Sequence, residues 1–200
     1  MLVMVQALIA SSPRAQSAAP IDPMHAQQIV TQVCAACHAA DGNSVLPANP
    51  KLASQIPEYL EKQLREYKSG VRKNPVMTAM AAGLSEVDMK ALANYFATKP
   101  AQPGAGKLPE AATLGKKLYQ AGNAEKGIPA CAACHNPKGL GIAKQFPRLS
   151  GQHADYTLTQ LKNFRSAERA NDANKVMQTI ALKMNDNEMQ AVAEYAAGLR

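Results

Sequence analysis

The chain has 200 residues, of which 46% are hydrophobic and 18% are charged, so it is globular, with one or two domains, and not disordered. Aromatic residues make up only 4% and tryptophan is absent, which predicts thin cores and suggests that a non-protein group fills them. The net charge of +7 is diffuse, and no cluster of Lys and Arg interleaved with aromatics indicates nucleic-acid binding.

The first ten residues are apolar except Gln6, and a polar, alanine-rich stretch follows them. Although a positively charged start is missing, this pattern is typical of the hydrophobic core and cleavage region of a secretory signal. We therefore assign residues 1–20 to a leader, with cleavage expected between Ala15 and Ala19. An uncleaved interfacial anchor is the alternative, because the apolar run is only about half as long as a membrane-spanning helix.

Helical signals dominate the rest of the first half. A helix is predicted over about residues 24–33, and Pro57 begins another that runs to Lys68, with Gly70 after it. Ser85 and Asp88 form a capping box at the start of a third helix. We expect Val87, Leu92, Tyr95 and Phe96 to face inward from this third helix.

A linker rich in Pro and Gly, residues 99–108, separates the two halves, because its composition cannot sustain a helix or a strand. Beyond it, helices are predicted over about residues 110–121 and from the capping box of Asn185 and Glu188 to Gly198. No alternation with a period of two residues is found. The domains are therefore predicted as 21–98 and 109–200, an all-α pair packed side by side.

The two halves are copies of one another. Cys34-Ala-Ala-Cys37-His38 recurs as Cys131-Ala-Ala-Cys134-His135, an offset of 97 residues. Pro50, Gln55 and Tyr59 have counterparts at the same offset, whereas the offset is 100 from the Val-Met pair at residues 76–77 onward. Three extra residues in the second copy account for this change.

Each Cys-x-x-Cys-His motif is typical of c-type haem attachment. Two thiols on one helical turn, Cys34 and Cys37 or Cys131 and Cys134, can form thioethers to the two vinyl groups of one porphyrin, and the next residue, His38 or His135, can then bind the iron. Zinc sites and redox disulfides are the alternatives. Each half offers no further Cys for zinc, and the βαβ pattern of thioredoxin-like motifs is absent.

The second axial ligand is predicted from the repeat. Met77 and Met177 occupy matched positions, which we place in loops before the capped helices. Met80 and Met184 are the alternative, although neither is matched by a methionine in the other copy. Met89 and Met189 are matched but lie at core spacing within predicted helices. Ligation by His and Met leaves no open iron site, which favours electron transfer over substrate chemistry and indicates that the chain is not an enzyme.

Pro50 and Pro147 each follow the motif histidine by 12 residues, and we expect their carbonyl oxygens to accept from the imidazole N–H of His38 and His135. The alternative is that each Pro only shapes a turn. Four further residues could either contact haem propionates or simply lie at the surface or in the core: Lys51, Arg148, Tyr59 and Tyr156. His25 and His153 lack a matched His and are expected to be ordinary surface residues.

The two motifs and the segments Cys37–Ser44, Phe146–His153 and Met77–Met80 resemble the dihaem cytochrome c4 family of class I cytochromes c over residues 24 to 200. The resemblance implies two tandem class I domains with two covalently bound haem c groups. It also implies axial ligands at His38, Met77, His135 and Met177. Further, it implies a periplasmic carrier, sometimes loosely membrane-associated.

The expected function is one-electron transport in a respiratory chain, from a bc-type complex or a dehydrogenase to a terminal oxidase. One alternative is a cytochrome subunit of a flavoprotein or quinoprotein dehydrogenase, such as a sulfide-oxidising flavocytochrome c. A dihaem peroxidase is another, and it would require one iron with an open or displaceable site.

Overall fold

The computed structural model describes residues 23–142 and 144–200, and the predicted leader lies outside this part of the chain. The described residues form helices joined by loops, and an isolated antiparallel bridge links Asn123 and Ile128. The helices are α1 (Pro23–Ile29), α2 (Ala35–His38), α3 (Pro57–Lys68), α4 (Pro75–Ala81), α5 (Glu86–Ala97), α6 (Ala112–Ala121), α7 (Cys131–His135), α8 (Ala154–Arg165), α9 (Val176–Leu182) and α10 (Asp186–Ala197).

Helices α1–α5 form one lobe and α6–α10 form a second, which we call the N-lobe and the C-lobe; residues 98–108 join them without helix. In the N-lobe, α5 packs against α1 and α3, and in the C-lobe α10 packs against α6 and α8. The last helix of each lobe is thus the centre of its core.

Both predicted capping boxes are present. The side chains of Ser85 and Asn185 accept from the backbone N–H groups of Asp88 and Glu188, whose carboxylates accept from the cap backbone in return. These paired hydrogen bonds satisfy N–H groups that the first helical turn leaves free. Helix α3 has the predicted bounds, but Val87 is 38% exposed and does not face inward as expected.

The first helical segment continues further than predicted. It passes from α1 through a π-helical turn, Val30–Cys34, directly into α2, so the expected end near residue 33 is wrong. The wider turn rotates the chain inside an otherwise regular helix. As a result, the first Cys motif is a direct extension of the helix that packs on α5.

The loop after each motif has the same backbone path. Gly42 and Gly139 have φ angles of 74° and 70°, and their carbonyl oxygens accept from Leu52 and Leu149, respectively. A Cβ at Gly42 would lie 2.8 Å from the backbone nitrogen of Ala53, so both the angle and the space require glycine. This loop brings Pro50 or Pro147 back to the motif histidine.

Candidate functional site

Both Cys-x-x-Cys-His motifs lie on helical turns. Cys34 ends the π-helical turn, Cys37 and His38 lie on α2, and α7 comprises the whole second motif, Cys131–His135. Residues three and four positions apart share one face of a helix, so the two thiols and the imidazole of each motif lie on one side. No disulfide bond links any of the four cysteines.

Each motif histidine is buried and held by one hydrogen bond. Nδ1 of His38 lies 2.9 Å from the carbonyl oxygen of Pro50, and Nδ1 of His135 lies 2.9 Å from that of Pro147. Because a carbonyl oxygen can only accept, Nδ1 carries the proton and the lone pair lies on Nε2. Burial lowers the imidazole pKa of both residues, against the opposing effect of the carbonyl, so the neutral ring needed for binding iron is favoured.

The described residues offer no complete set of zinc ligands at these motifs. Burial raises the pKa of the Cys34 and Cys131 thiols to about 11. Across residues 23–142 and 144–200, no group of three or more His, Cys, Asp and Glu side chains is arranged to hold a metal ion. Any metal at these motifs therefore needs ligands beyond those four residue types.

The sequence analysis placed the two matched methionines in loops, but both lie in helices. Met77 is the third residue of α4, where Asn74 caps the helix by accepting from the Met77 N–H at 2.9 Å. Met177 is the second residue of α9. Both helices are only seven residues long, too short for a hydrophobic pattern to distinguish them from a loop, which explains the wrong prediction. Both side chains are half-buried.

The extra residues of the C-lobe lie just before Met177. Eight positions separate Arg169 from Met177, whereas five separate their counterparts Arg72 and Met77. In the C-lobe this stretch forms a 3₁₀ turn, Ala173–Lys175, with two residues in left-handed conformation. The longer path still ends in a helix that packs on α8, as α4 packs on α3.

The remaining methionines have other environments. Met89 and Met189 are completely buried in α5 and α10, where they fill the cores. Met184 is buried in the C-lobe core, and Met80 is 45% exposed at the surface. Among the methionines of residues 23–142 and 144–200, only Met77 and Met177 combine matched positions with matched, half-buried environments.

An interface between the lobes contains two crossed arginines that the sequence analysis did not identify. Arg72 donates to the hydroxyl of Tyr156 at 2.9 Å and to Gln160 at 2.9 Å, both in the C-lobe. Arg169 donates to the hydroxyl of Tyr59 at 2.9 Å and to Gln63 at 3.2 Å, both in the N-lobe. Tyr59 and Tyr156, considered above for propionates or for core packing, thus bind the arginine of the opposite lobe.

The two arginines are equivalent residues of the repeat. They are 97 positions apart and only 5% and 8% exposed, and each stacks on an aromatic ring of its own lobe, Tyr67 or Phe164. A buried charge is costly unless hydrogen bonds compensate it, and these crossed bonds do so. The available sequence signal was an arginine at the matched position of each copy, but arginines are ordinarily expected at the surface.

A second crossed contact lies closer to the motif histidines. The side-chain amide of Gln55 pairs with the backbone N–H and carbonyl of Arg148, at 2.8 and 3.0 Å. The amide of Gln152 pairs in the same way with Lys51, at 2.9 and 2.9 Å.

The two unmatched histidines differ in their surroundings. His153 lies at the interface between the lobes, 2.8 Å from the Ser44 carbonyl oxygen, and is not an ordinary surface residue. His25 pairs with Asp88 at 3.0 Å.

The donor sets fit a covalently held porphyrin. In each lobe a helical turn carries two free thiols and a buried neutral imidazole, with Nδ1 anchored and no hydrogen bond to Nε2 from the described chain. A matched methionine is provided by the helix packed on α3 or α8. This is the combination of groups that c-type haem attachment and axial ligation use.

Comparison with known proteins agrees with this chemistry. A family model for cytochrome c matches residues 24–99 and again residues 112–199. Cytochrome c4 of Thiocapsa roseopersicina is 48% identical over 92% of this chain and 97% of its own length. The chain belongs to the dihaem cytochrome c4 family. The crystal structure of reduced cytochrome c4 from Pseudomonas stutzeri superposes with a TM-score of 0.85 at 39% identity, covering 90% of this chain and 99% of that one.

Another relative is named for the enzyme from which it accepts electrons. A protein of Stutzerimonas stutzeri named thiosulfate dehydrogenase electron acceptor is 43% identical over 83% of this chain and 78% of its own length. As a member of the cytochrome c4 family, the present chain is an all-α electron carrier with two tandem cytochrome c domains and two covalently bound haem c groups. None of its described helices has the length and apolar character needed to cross a membrane.

Proposed function

We propose that this cytochrome c4 carries single electrons in the periplasm, from a bc-type complex or a dehydrogenase to a terminal oxidase, and is not itself an enzyme. The observation that carries the proposal is the matched donor set: His38 with Met77 in one lobe, and His135 with Met177 in the other. A haem c held by these residues supplies a reversible one-electron ferric–ferrous couple.

The roles of the chain's own residues follow from their geometry. Cys34, Cys37, Cys131 and Cys134 are the attachment residues, and their place on short helical turns fixes the position of the adjacent histidine. Pro50 and Pro147 orient His38 and His135 by accepting from Nδ1, which directs Nε2 away from that carbonyl. Held in this way, the imidazole does not need to rearrange when the charge of its partner changes by one unit.

The proposed methionine ligands would complete the coordination of each iron and favour electron transfer over substrate binding. A thioether is a soft ligand that favours ferrous iron and raises the reduction potential. If His38 and Met77, and likewise His135 and Met177, hold the two irons, no position would be left for a small substrate. The pairing of Met77 and Met177 therefore supports a carrier and speaks against the dihaem peroxidase considered above.

The ligand assignment is tested with four isosteric variants of the holoprotein. Met77→Leu and Met177→Leu should each lower the reduction potential of one haem, abolish its methionine-to-iron absorption band, and allow carbon monoxide to bind that haem when reduced. Met80→Leu and Met184→Leu are the matched controls and should leave both bands in place. Carbon monoxide binding to the unmodified protein would contradict the proposal and favour the peroxidase.

A dehydrogenase donor is supported by the relative named as an electron acceptor of thiosulfate dehydrogenase. If this chain has a comparable role, its oxidised form should be reduced rapidly by a dehydrogenase in the absence of any bc-type complex. Stopped-flow reduction by each purified donor measures the preference. Co-purification with a flavin-bearing chain would instead identify it as a stable subunit of a flavoprotein dehydrogenase.

The location is proposed from the leader and the covalent haem. The predicted leader, residues 1–20, is of the type that directs export. Mass analysis of the protein from the periplasm should show the loss of this leader and the mass of two added haem groups. Peripheral membrane association would be detected by salt-sensitive retention in the membrane fraction.

A further inference from the structure

A single peptide group in each lobe connects the motif histidine to the opposite lobe. The peptide between Pro50 and Lys51 accepts from Nδ1 of His38 through its oxygen at 2.9 Å, and its N–H donates to Oε1 of Gln152 at 2.9 Å. The oxygen and the N–H belong to the same conjugated unit. His38 is therefore two hydrogen bonds away from a C-lobe side chain.

The same connection exists in the other direction. The peptide between Pro147 and Arg148 accepts from Nδ1 of His135 at 2.9 Å, and its N–H donates to Oε1 of Gln55 at 2.8 Å. Gln55 and Gln152 are equivalent residues of the repeat. The lobes thus exchange matching glutamines, each of which reaches the peptide that anchors the histidine of the other.

Both glutamines are held in place before they reach across. Oε1 of Gln55 also accepts from the N–H of Ile56 at 3.0 Å, and Oε1 of Gln152 accepts from that of His153 at 3.0 Å. Their Nε2 groups donate to the carbonyl oxygens of Arg148 and Lys51. Both residues are buried, so water does not compete strongly for these bonds.

We propose that Gln55 and Gln152 are crossed tuning residues, each of which sets the electron density on the motif histidine of the opposite lobe. When Oε1 accepts from the peptide N–H, it polarises that peptide and makes the carbonyl a stronger acceptor for Nδ1–H. A stronger acceptor gives the imidazole more anionic character and makes Nε2 a better donor to ferric iron. The proposal rests on His38 and His135 being iron ligands, as proposed above.

The expected effect has a defined direction. Loss of the Gln152 side-chain amide weakens the acceptor for His38, so the N-lobe haem is reduced more easily, while loss of the Gln55 amide does the same for the C-lobe haem. Hydrogen-bond cooperativity is a partial effect, so we expect a change of about two- to tenfold in the redox equilibrium constant of the opposite haem. At about 59 mV per tenfold change, this is a positive shift of about 20–60 mV.

The test compares Gln152→Leu and Gln55→Leu in the holoprotein, with the two haems resolved by NMR during a redox titration. Each variant should shift the reduction potential of the haem in the opposite lobe. The potential of the haem in its own lobe should change by less than about half as much. In the reduced, diamagnetic protein, the Nδ1–H resonance of His38 should move in Gln152→Leu and stay in place in Gln55→Leu.

Two controls separate tuning from loosening of the interface. Tyr156→Phe and Tyr59→Phe remove hydrogen bonds between the lobes but do not touch the two peptides, so they should leave both potentials and both Nδ1–H resonances unchanged. Gln152→Asn keeps an amide but is one methylene too short to reach Lys51, so it should reproduce the shift caused by Gln152→Leu.

The outcomes are distinct. Equal shifts of both haems in either Leu variant, a shift confined to the haem of the same lobe, or no shift would each overturn the proposal. A large shift in the Tyr variants would also overturn it, because the interface as a whole would then be responsible. Failure of the proposed ligands appears separately, as the absence of a histidine-ligated low-spin spectrum in the unmodified protein.

Discussion

The two lobes reach the same motif by different routes. In the N-lobe, α1 continues through one π-helical turn into Cys34 and α2 without a break. In the C-lobe, α6 ends at Ala121 and residues 122–130 form a loop before α7 begins at Cys131. The motif histidines nevertheless have identical anchors, each 2.9 Å from a proline carbonyl oxygen.

Hydrogen bonds and an ion pair fix the C-lobe loop in place of a continuous helix before the motif. Asn123 and Ile128 exchange two backbone hydrogen bonds of 2.8 Å, and Lys183 donates to the Gly127 carbonyl oxygen at 2.8 Å. Lys126 forms an ion pair with Glu188 at 2.8 Å. The comparison teaches that the site depends on one helical turn and the returning proline loop, whereas the segment before the motif is free to differ.

The cores differ as well. The main buried cluster of the N-lobe consists of Val30, Leu60, Leu92, Ala93 and Phe96. The C-lobe cluster is larger and includes Tyr119, Leu161, Phe164, Met184 and Met189. Since burial of apolar surface is the main source of stability, we expect the N-lobe to be the less stable lobe without its haem and to depend more on the covalent cofactor.

The largest difference between the two lobes is expected when the haem attachment sites are removed one lobe at a time. Cys34→Ala with Cys37→Ala should eliminate one of the two covalent haems and unfold the N-lobe, because its remaining core is small. Cys131→Ala with Cys134→Ala should eliminate the other haem yet leave part of the C-lobe helix content. Mass spectrometry counts the haems, and circular dichroism follows the helices. Equal losses of helix in the two variants would refute the difference in intrinsic stability.

A smaller effect is expected where α6 crosses α10. A Cβ at Gly115 would collide with the Ala191 carbonyl oxygen, so Gly115→Ala should lower the free energy of unfolding of the C-lobe by about 1–3 kcal/mol despite the better helix propensity of alanine. At Gly83 of the N-lobe an added Cβ meets nothing within 4 Å, and Gly83→Ala should change stability by less than about 0.5 kcal/mol. Thermal unfolding monitored separately for each haem distinguishes these results.

The smallest effect concerns the ion pair beside the C-lobe loop. Burial of the Glu188 carboxyl opposes its ionisation, but hydrogen bonds from Lys126 and from the Asn185 N–H outweigh this and lower its pKa. A lowered pKa stabilises the folded state above the ordinary value of about 4.3 and loses that contribution as the pH falls through the lowered value. Lys126→Met should therefore cost about 0.5–1 kcal/mol at pH 7 and progressively less in acid.

Lys116→Met is the matched control, because Lys116 is exposed on α6 and has no ion pair within the described chain. Denaturant unfolding of both variants across the acidic range measures the difference. A penalty for Lys126→Met that stays constant down to the lowest pH would show that the ion pair is not its cause.

Local features of the fold were predictable because they depend on neighbouring residues. The capping boxes at Ser85 and Asn185 and the limits of α3 follow from hydrogen bonds and proline positions within a few residues. The haem chemistry was predictable for a similar reason, since one helical turn brings the donor atoms together. The position of Met77 in a helix was not predictable, because the seven residues of α4 form too short a pattern to be distinguished from a loop.

The interface between the lobes could not be predicted from the repeat. Aligning the copies shows that Gln55 corresponds to Gln152, but not that each binds the backbone of the other lobe. Such contacts depend on the relative orientation of two folded bodies, which no local pattern encodes. The buried Arg72 and Arg169 were missed for this reason, since their partners in the opposite lobe lie more than 80 positions away.

The crossed contacts have a consequence for how this molecule is assembled. A face that binds an equivalent copy of itself is, in symmetry, the isologous contact of a homodimer. Joining the two copies in one chain makes their association independent of protein concentration. It also allows a residue in one half to change without the same change occurring in the other half, as it would in a homodimer. Tyr67 and Phe164 are an example, because these different rings stack with equivalent arginines.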